Sequence, residues 1–122
     1  MPQSTILILL PETRYHNDGT NTPYDVTGNS VQAAAYHLGN QDLQTVSYSF
    51  SEVTGNLVIE ASLATDPAAG DWFKVYEISA NNQANTNANL NSYTNLTGNY
   101  VYMRAKIKDF EHGVVNFVKV SY

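Results

Sequence analysis

Histidine is the residue type best suited to metal or acid–base chemistry in this chain, and its copies are widely spaced. His16, His37 and His112 lie 21 and 75 positions apart. None stands in an HExxH or His-x-His pattern, the spacings that bring two imidazoles to one metal ion. We therefore predict that all three pack or lie at the surface, and that the protein holds neither a metal nor a cofactor.

Two aspartates, Asp66 and Asp71, lie close together in the segment ATDPAAGDW and could form a carboxylate pair. Aspartate in a turn of this composition usually accepts hydrogen bonds from nearby backbone groups, and that role accounts for both residues. Calcium binding is the alternative, because hard cations take loop carboxylates and carbonyls, although no D-x-D-x-D-G register is present. The chain also lacks cysteine and any GxSxG, GxGxxG or Walker motif. The sequence therefore predicts no catalytic residue and no enzyme activity.

Length and charge limit the remaining functions. A chain of 122 residues fits a single domain. The net charge is −5 with only 6 Lys plus Arg, unlike the basic surfaces that bind nucleic acid. The longest apolar run, at 6–10, has five residues, far fewer than the ~20 that span a membrane, and no basic segment precedes it as in a signal peptide. We expect a soluble protein made in a cytoplasm, with no nucleic acid or membrane partner.

The apolar pattern has a period of two in most of the chain, which is typical of β-strands. In the segment 100–108, apolar residues alternate with a polar set that would share one face of a strand. That set provides a candidate interface or ligand face, and cross-strand packing is the alternative role for the same side chains. Its members are Tyr100, Tyr102, Arg104 and Lys106, followed by Lys108.

Further strands are predicted at 5–10, 32–38, 46–50, 57–63, 72–78 and 114–120, because Val, Ile and aromatic residues suit a pleated surface. The segment 32–38, QAAAYHL, is short for a helix although its alanines favour one. Trp72 is predicted to anchor the core. About seven or eight short strands separated by Gly and Asn turns indicate an all-β antiparallel sandwich, with the jelly roll as one available topology.

One four-residue pattern occurs three times: VTGN at 26–29, VTGN at 53–56 and LTGN at 96–99. Gly-Asn tolerates the positive φ of tight turns, so each copy predicts a turn that leads into a strand. An internal duplication is the alternative, since EVTGNLVIEASLA and NLTGNYVYMRAKI align over a dozen residues.

Two segments have the composition of loops. Residues 79–97 contain seven asparagines and no charge, so we predict a long exposed loop with at most a short strand near Tyr93. The N-terminal region is rich in turn formers after the strand at 5–10, and residues 1–30 could form an extended arm or loop. For the first forty residues as a whole, an arm, a strand added to a neighbour and part of the sandwich are the alternatives.

Residues 43–122 carry a series of motifs that resembles a group of small virion proteins of tailed phages, particularly the T4-like and cyanobacterial ones. The matching pieces are a TVxY strand at 45–48, GNL at 55–57, Asp-Pro at 66–67, DWF at 71–73, the segment 97–105 and a glycine hairpin at Gly113. Ser62 and Tyr102 depart from the pattern, which has Thr and Trp at those positions.

The resemblance implies a β-sandwich structural protein of the virion: a head decoration, neck or tail component that contacts copies of itself and other virion proteins. It supplies no catalytic motif. A carbohydrate-binding or host-recognition module on the virion surface, with a host glycan as partner, is the alternative function.

Overall fold

The computed structural model describes residues 6–16, 23–33 and 43–122. This part of the chain contains strands and one short 3-10 helix at Ala69–Asp71, without an α-helix. The eight strands are β1 Ile6–Leu10, β2 Thr13–Arg14, β3 Tyr24–Thr27, β4 Val31–Gln32, β5 Leu43–Ser62, β6 Phe73–Ala80, β7 Leu90–Thr97 and β8 Tyr102–Ser121.

Two strands of 20 residues, β5 and β8, form the centre of the fold and pair with each other antiparallel from Thr45↔Ser121 to Ser62↔Tyr102. Both bend in the middle, where the register shifts between Ser51 and Thr54. Positive φ angles mark the bend: 54° at Glu52, 54° at Asp109 and 91° at Gly113. Bulges of this kind turn a strand sharply, so each long strand continues from one layer of the sandwich into the other.

The bend divides the pairing into two four-stranded layers. The first layer is ordered β1 with β2, the 114–121 half of β8, the 43–50 half of β5, then β7. The second is ordered β3 with β4, the 102–108 half of β8, the 54–62 half of β5, then β6. Numbered along the chain, these segments follow the orders 1-8-3-6 and 2-7-4-5, the arrangement of a jelly roll. The predicted all-β antiparallel sandwich is thus confirmed.

The core lies between the layers, and both long strands direct alternate residues into it. Val46 of the first layer and Ile59 of the second are fully buried. At the rim, Phe110 is also fully buried and its ring packs edge-on against Tyr15 and Tyr24, 5.7 and 5.9 Å away. These aromatic contacts hold the N-terminal segments against the second layer.

The N-terminal region is part of the sandwich wherever the structure describes it. Leu9 and Leu10 are buried, and β1 pairs with β8. An arm or a strand donated to a neighbour therefore does not describe these residues. Residues 34–38 of the strand predicted at 32–38 lie outside the described residues. Gln32, its first residue, ends β4.

Three loop or turn predictions were wrong. The segment 79–97 contains β7, which confirms a strand at Tyr93, but this strand has eight residues and limits the asparagine-rich loop to 81–89. There Asn85 and Asn87 take φ angles of 53°, which asparagine tolerates better than most residues. The second VTGN lies inside β5, and Gly113 lies inside β8 rather than in a hairpin. A bulge and a turn favour the same residue types. Both glycine-containing segments were therefore predicted as turns, although they form the bend of continuous strands.

The two layers are linked by a pair of tyrosines, and this pair makes stability sensitive to alkaline pH. The hydroxyls of Tyr48 and Tyr76 lie 2.9 Å apart. Burial, followed by this hydrogen bond and the charge of Tyr48, raises the pKa of Tyr76 from 10.0 to about 12. Burial also raises the pKa of Tyr122.

The folded state therefore keeps the Tyr76 proton at pH values where the unfolded chain has lost it. The resulting stabilisation is complete below pH 10 and should be lost as the pH rises to about 12. Urea unfolding at several pH values across this interval should show a falling free energy of unfolding. The Tyr76→Phe variant should have a shallower decline, and an unchanged slope would contradict the assignment.

Candidate functional site

The outer surfaces of the two layers differ in charge. The strand segments of the first layer, at 6–10, 13–14, 43–50, 90–97 and 114–121, contain only two charged residues, Arg14 and Lys119. The strand segments of the second layer contain many of both signs: Asp25, Glu60, Lys74, Glu77, Arg104, Lys106 and Lys108. We call the outer surface of the first layer the neutral face and that of the second layer the charged face.

Register places the neutral face in cross-strand rows. One row runs Ile8, Lys119, Ser47 and Tyr93, because these residues pair in turn across β1, β8, β5 and β7. The next row, by the same pairings, contains Ile6, Ser121, Thr45 and Asn95.

The neutral face exposes large apolar side chains. Ile6 is 63% exposed, Ile8 48%, Leu43 46% and Tyr93 65%. These are four of the six exposed large hydrophobic residues in the described ranges, the others being Leu63 and Phe73. Interfaces are depleted of charge and enriched in aromatic side chains, and a face on which exposed apolar side chains outnumber the charges has this composition. The neutral face therefore has the chemistry of a protein contact surface.

Hydrogen bonds hold the small polar side chains of the neutral face in place. Thr45 Oγ1 donates to Asn95 Oδ1 at 2.7 Å, and the Ser49 hydroxyl donates to Asn91 Oδ1. Lys119 Nζ lies 4.4 Å from the centre of the Phe117 ring. Because these side chains are already ordered, covering them with a partner costs less conformational entropy than ordering free side chains.

On the charged face, cation and carboxylate groups pair with one another. Arg104 Nε lies 2.8 Å from Glu60 Oε1, and its guanidinium stacks 4.2 Å from the centre of the Trp72 ring. Lys106 lies 3.9 Å from Asp25. A partner on this face would have to dehydrate or break these ion pairs, which is costly.

The predicted site residues are therefore separated. Tyr102, Arg104 and Lys106 share the charged face as expected, since Met103, Ala105 and Ile107 are buried between them. Tyr100 precedes β8 and does not share this face. Its ring lies against Phe73, 6.0 Å away, and packs on the core.

Trp72 is not a core anchor. It lies outside the buried cluster, partly exposed, beneath the Arg104 guanidinium. Phe110 is among the largest side chains that fill the core instead.

A polar pocket of about 460 Å³ opens where the loop 81–89 meets the bend of the long strands. Within it, Asn82 N donates to Thr54 Oγ1 at 2.9 Å, and His112 Nδ1 lies 2.7 Å from the carbonyl oxygen of Glu52, which can only accept. Amides and hydroxyls of this kind match the hydroxyl groups of a sugar. The lining residues are Thr54, Asn81, Asn82, Gln83, Glu111 and His112.

Asp71 has the backbone role that the composition of its turn predicts. Asp71 Oδ2 accepts a hydrogen bond from Ala68 N at 2.8 Å. Within the ranges 6–16, 23–33 and 43–122, no three His, Cys, Asp or Glu residues gather closely enough to hold a metal ion. In those same ranges there is no helix of the length and apolarity that a bilayer crossing requires.

Sequence reasoning missed the neutral face. Its signal was present in β1, ILILL, where both faces of the strand are apolar although one is exposed. Absence of charge from 43–50 and 90–97 was a second signal. Neither signal indicates a shared surface until the strand order is known.

The fold and surfaces define a jelly-roll sandwich with one neutral and one charged outer face. No protein-family model matches the chain, and no curated protein matches it.

Proposed function

We propose that this protein is a non-enzymatic structural subunit of a tailed-phage virion, as a head decoration, neck or tail component. It works through contacts with copies of itself and with other virion proteins. The motifs at 43–122 that resemble small virion proteins support this class, and the observation that carries the proposal is the neutral face.

The neutral face is the surface that neighbours would cover. Burial of Ile6, Ile8 and Tyr93 stabilises a contact by about 25 cal/mol per Å² of apolar area removed from water. The charged face keeps its ion pairs hydrated and faces solvent. A modest contact of this kind becomes strong when it is repeated around a symmetric particle.

Two glutamate substitutions in β5 test this orientation. Ser47 lies on the neutral face opposite Lys119, and Asn56 lies on the charged face opposite Lys108. Each new carboxylate therefore faces a lysine, so both variants should keep their free energy of unfolding within about 1 kcal/mol of the parent. Ser47→Glu should reduce incorporation into particles at least about tenfold, because the carboxylate would have to lose its water in the contact.

The measurement is quantitative mass spectrometry of particles purified after complementation with each variant. Asn56→Glu should be incorporated at the parental level. Normal incorporation of Ser47→Glu, or equal loss in both variants, would contradict a contact through the neutral face. Absence of the parent chain from the particles would overturn the structural role itself.

Carbohydrate recognition on the virion surface is the second candidate function, and the polar pocket favours it. The isolated protein would then bind a host-surface glycan saturably on a glycan array. Asn82→Ala, in the pocket, should abolish that binding, whereas Asn99→Ala, an exposed asparagine outside it, should not. No saturable binding by the parent would eliminate this candidate.

A further inference from the structure

Strand β7 is an edge strand without protection against pairing. Among the described residues it pairs only with β5, and its register runs without a shift from Leu43↔Thr97 to Phe50↔Leu90. Its sequence, LNSYTNLT, contains neither charge nor proline. The backbone groups on its far side form a regular row over about 27 Å, a template for another strand.

The other edges of the sandwich are interrupted. The register of β1 shifts between Ile8 and Leu10, and Pro11 follows. Strand β3 shifts between Tyr24 and Val26. Strand β6 has an irregularity opposite Ile59 and Glu60, and carries Lys74 and Glu77. Bulges, charges and prolines are the features that prevent edge-to-edge pairing, and β7 is the long edge that has none of them.

We propose that β7 pairs with β7 of a second copy of this chain, antiparallel about a two-fold axis, so that two first layers become one continuous eight-stranded sheet. The occupant is a second copy because the strand is neutral and can approach itself without repulsion. Strand β6, by contrast, is charged and has an irregular register, both of which oppose edge-to-edge pairing.

Antiparallel pairing centred on Tyr93 keeps the neutral faces of both copies on the same side of the joined sheet. It places Tyr93 beside the same residue of the second copy, and Asn91 opposite Asn95. Tyr93 is 65% exposed, so two rings can stack without moving the core. About eight backbone hydrogen bonds would join the copies, and the paired neutral faces would form one larger contact surface.

Light scattering across a concentration series tests the pairing with two matched variants. Tyr93 and Ile6 are exposed to the same extent, 65% and 63%, on opposite edges of the first layer. Tyr93→Lys places two lysines side by side at the dimer axis and should weaken dimerisation at least about tenfold. Ile6→Lys adds the same charge to the same layer and should leave the dimer intact.

Hydrogen exchange provides the second measurement. Amides in β7 should become protected as the concentration of the parent rises, and those in β1 should not. A parent that stays monomeric, equal loss of the dimer in both variants, or protection confined to other strands would overturn the pairing.

This inference deepens the proposed structural role and rests on it for its biological meaning. Experiments can nevertheless refute the β7 pairing without refuting the virion role, and the reverse. A parent chain that is monomeric in solution but is incorporated into particles through the neutral face would remove the β7 pairing alone. A dimer in solution from a chain that is absent from particles would remove the virion role alone.

Discussion

The Gly113→Ala variant is expected to lose about 3 kcal/mol or more of stability, with a melting temperature lower by about 10 °C or more. Gly113 has a φ of 91° inside β8, a conformation that residues with a Cβ rarely adopt. A Cβ built at this position would lie 2.1 Å from the carbonyl oxygen of Glu52 and 2.7 Å from that of Ser51. Both neighbours are backbone atoms in the bend of β5, so neither can move without disturbing the corner.

The control for this substitution is Gly70→Ala. A Cβ at Gly70 would meet no heavy atom within 4 Å apart from those of its chain neighbours and its own short helix, and its φ is ordinary. The free energy of unfolding of this variant should lie within about 0.5 kcal/mol of the parental value. Thermal unfolding of both variants makes the comparison. Parental stability of Gly113→Ala would mean that the two long strands do not cross closely at this corner.

The second large effect is expected for Phe110→Ala, which should lower the free energy of unfolding by about 3–5 kcal/mol. Phe110 is fully buried and packs against the rings of Tyr15 and Tyr24, which stack on each other at 5.5 Å. Its removal leaves a cavity and also frees the N-terminal segments from the second layer. Because the free energy of unfolding of a small domain is only about 5–15 kcal/mol in total, much of the native stability would be lost.

Phe117→Ala is the matched control, because Phe117 lies in the same strand but is only half buried, beneath Lys119. Denaturant unfolding should show a loss of at most about 1 kcal/mol for this variant. Similar losses in both variants would contradict the placement of Phe110 in the core.

Sequence pattern was sufficient for the fold class because strand alternation is local. The segment 102–108 shows this: Met103, Ala105 and Ile107 are buried, as the period of two predicts. The aspartate turn at Asp71 was also predictable, since its hydrogen bond joins residues three apart.

The long bent strands were not predictable in the same way. Glu52 and Asp109 adopt positive φ, and although aspartate takes this conformation more often than most residues, neither residue type predicts a bend. Gly113 indicated a break in the strand but could not distinguish a hairpin from a bulge. The bend depends on contacts between β5 and β8, which are distant in sequence.

The candidate site was missed for a related reason. The sequence predicted an interface at Tyr102, Arg104 and Lys106 because these residues are charged or aromatic and lie on one strand. Arg104, however, pairs within the protein with Glu60 and Trp72. The neutral face consists of residues from separate strand segments, and no segment alone indicates a surface. Which segments share a layer is set by the jelly-roll order, a property of the whole chain.

A cryo-electron-microscopy reconstruction of the assembled phage particle tests the central proposal most directly. We expect the sandwich of this chain in a symmetric array, with the neutral face buried against neighbouring subunits and the charged face in solvent. A sandwich whose neutral face is open to solvent while the pairs around Arg104 form the contacts would contradict the proposed orientation, and particles without this density would contradict the structural role.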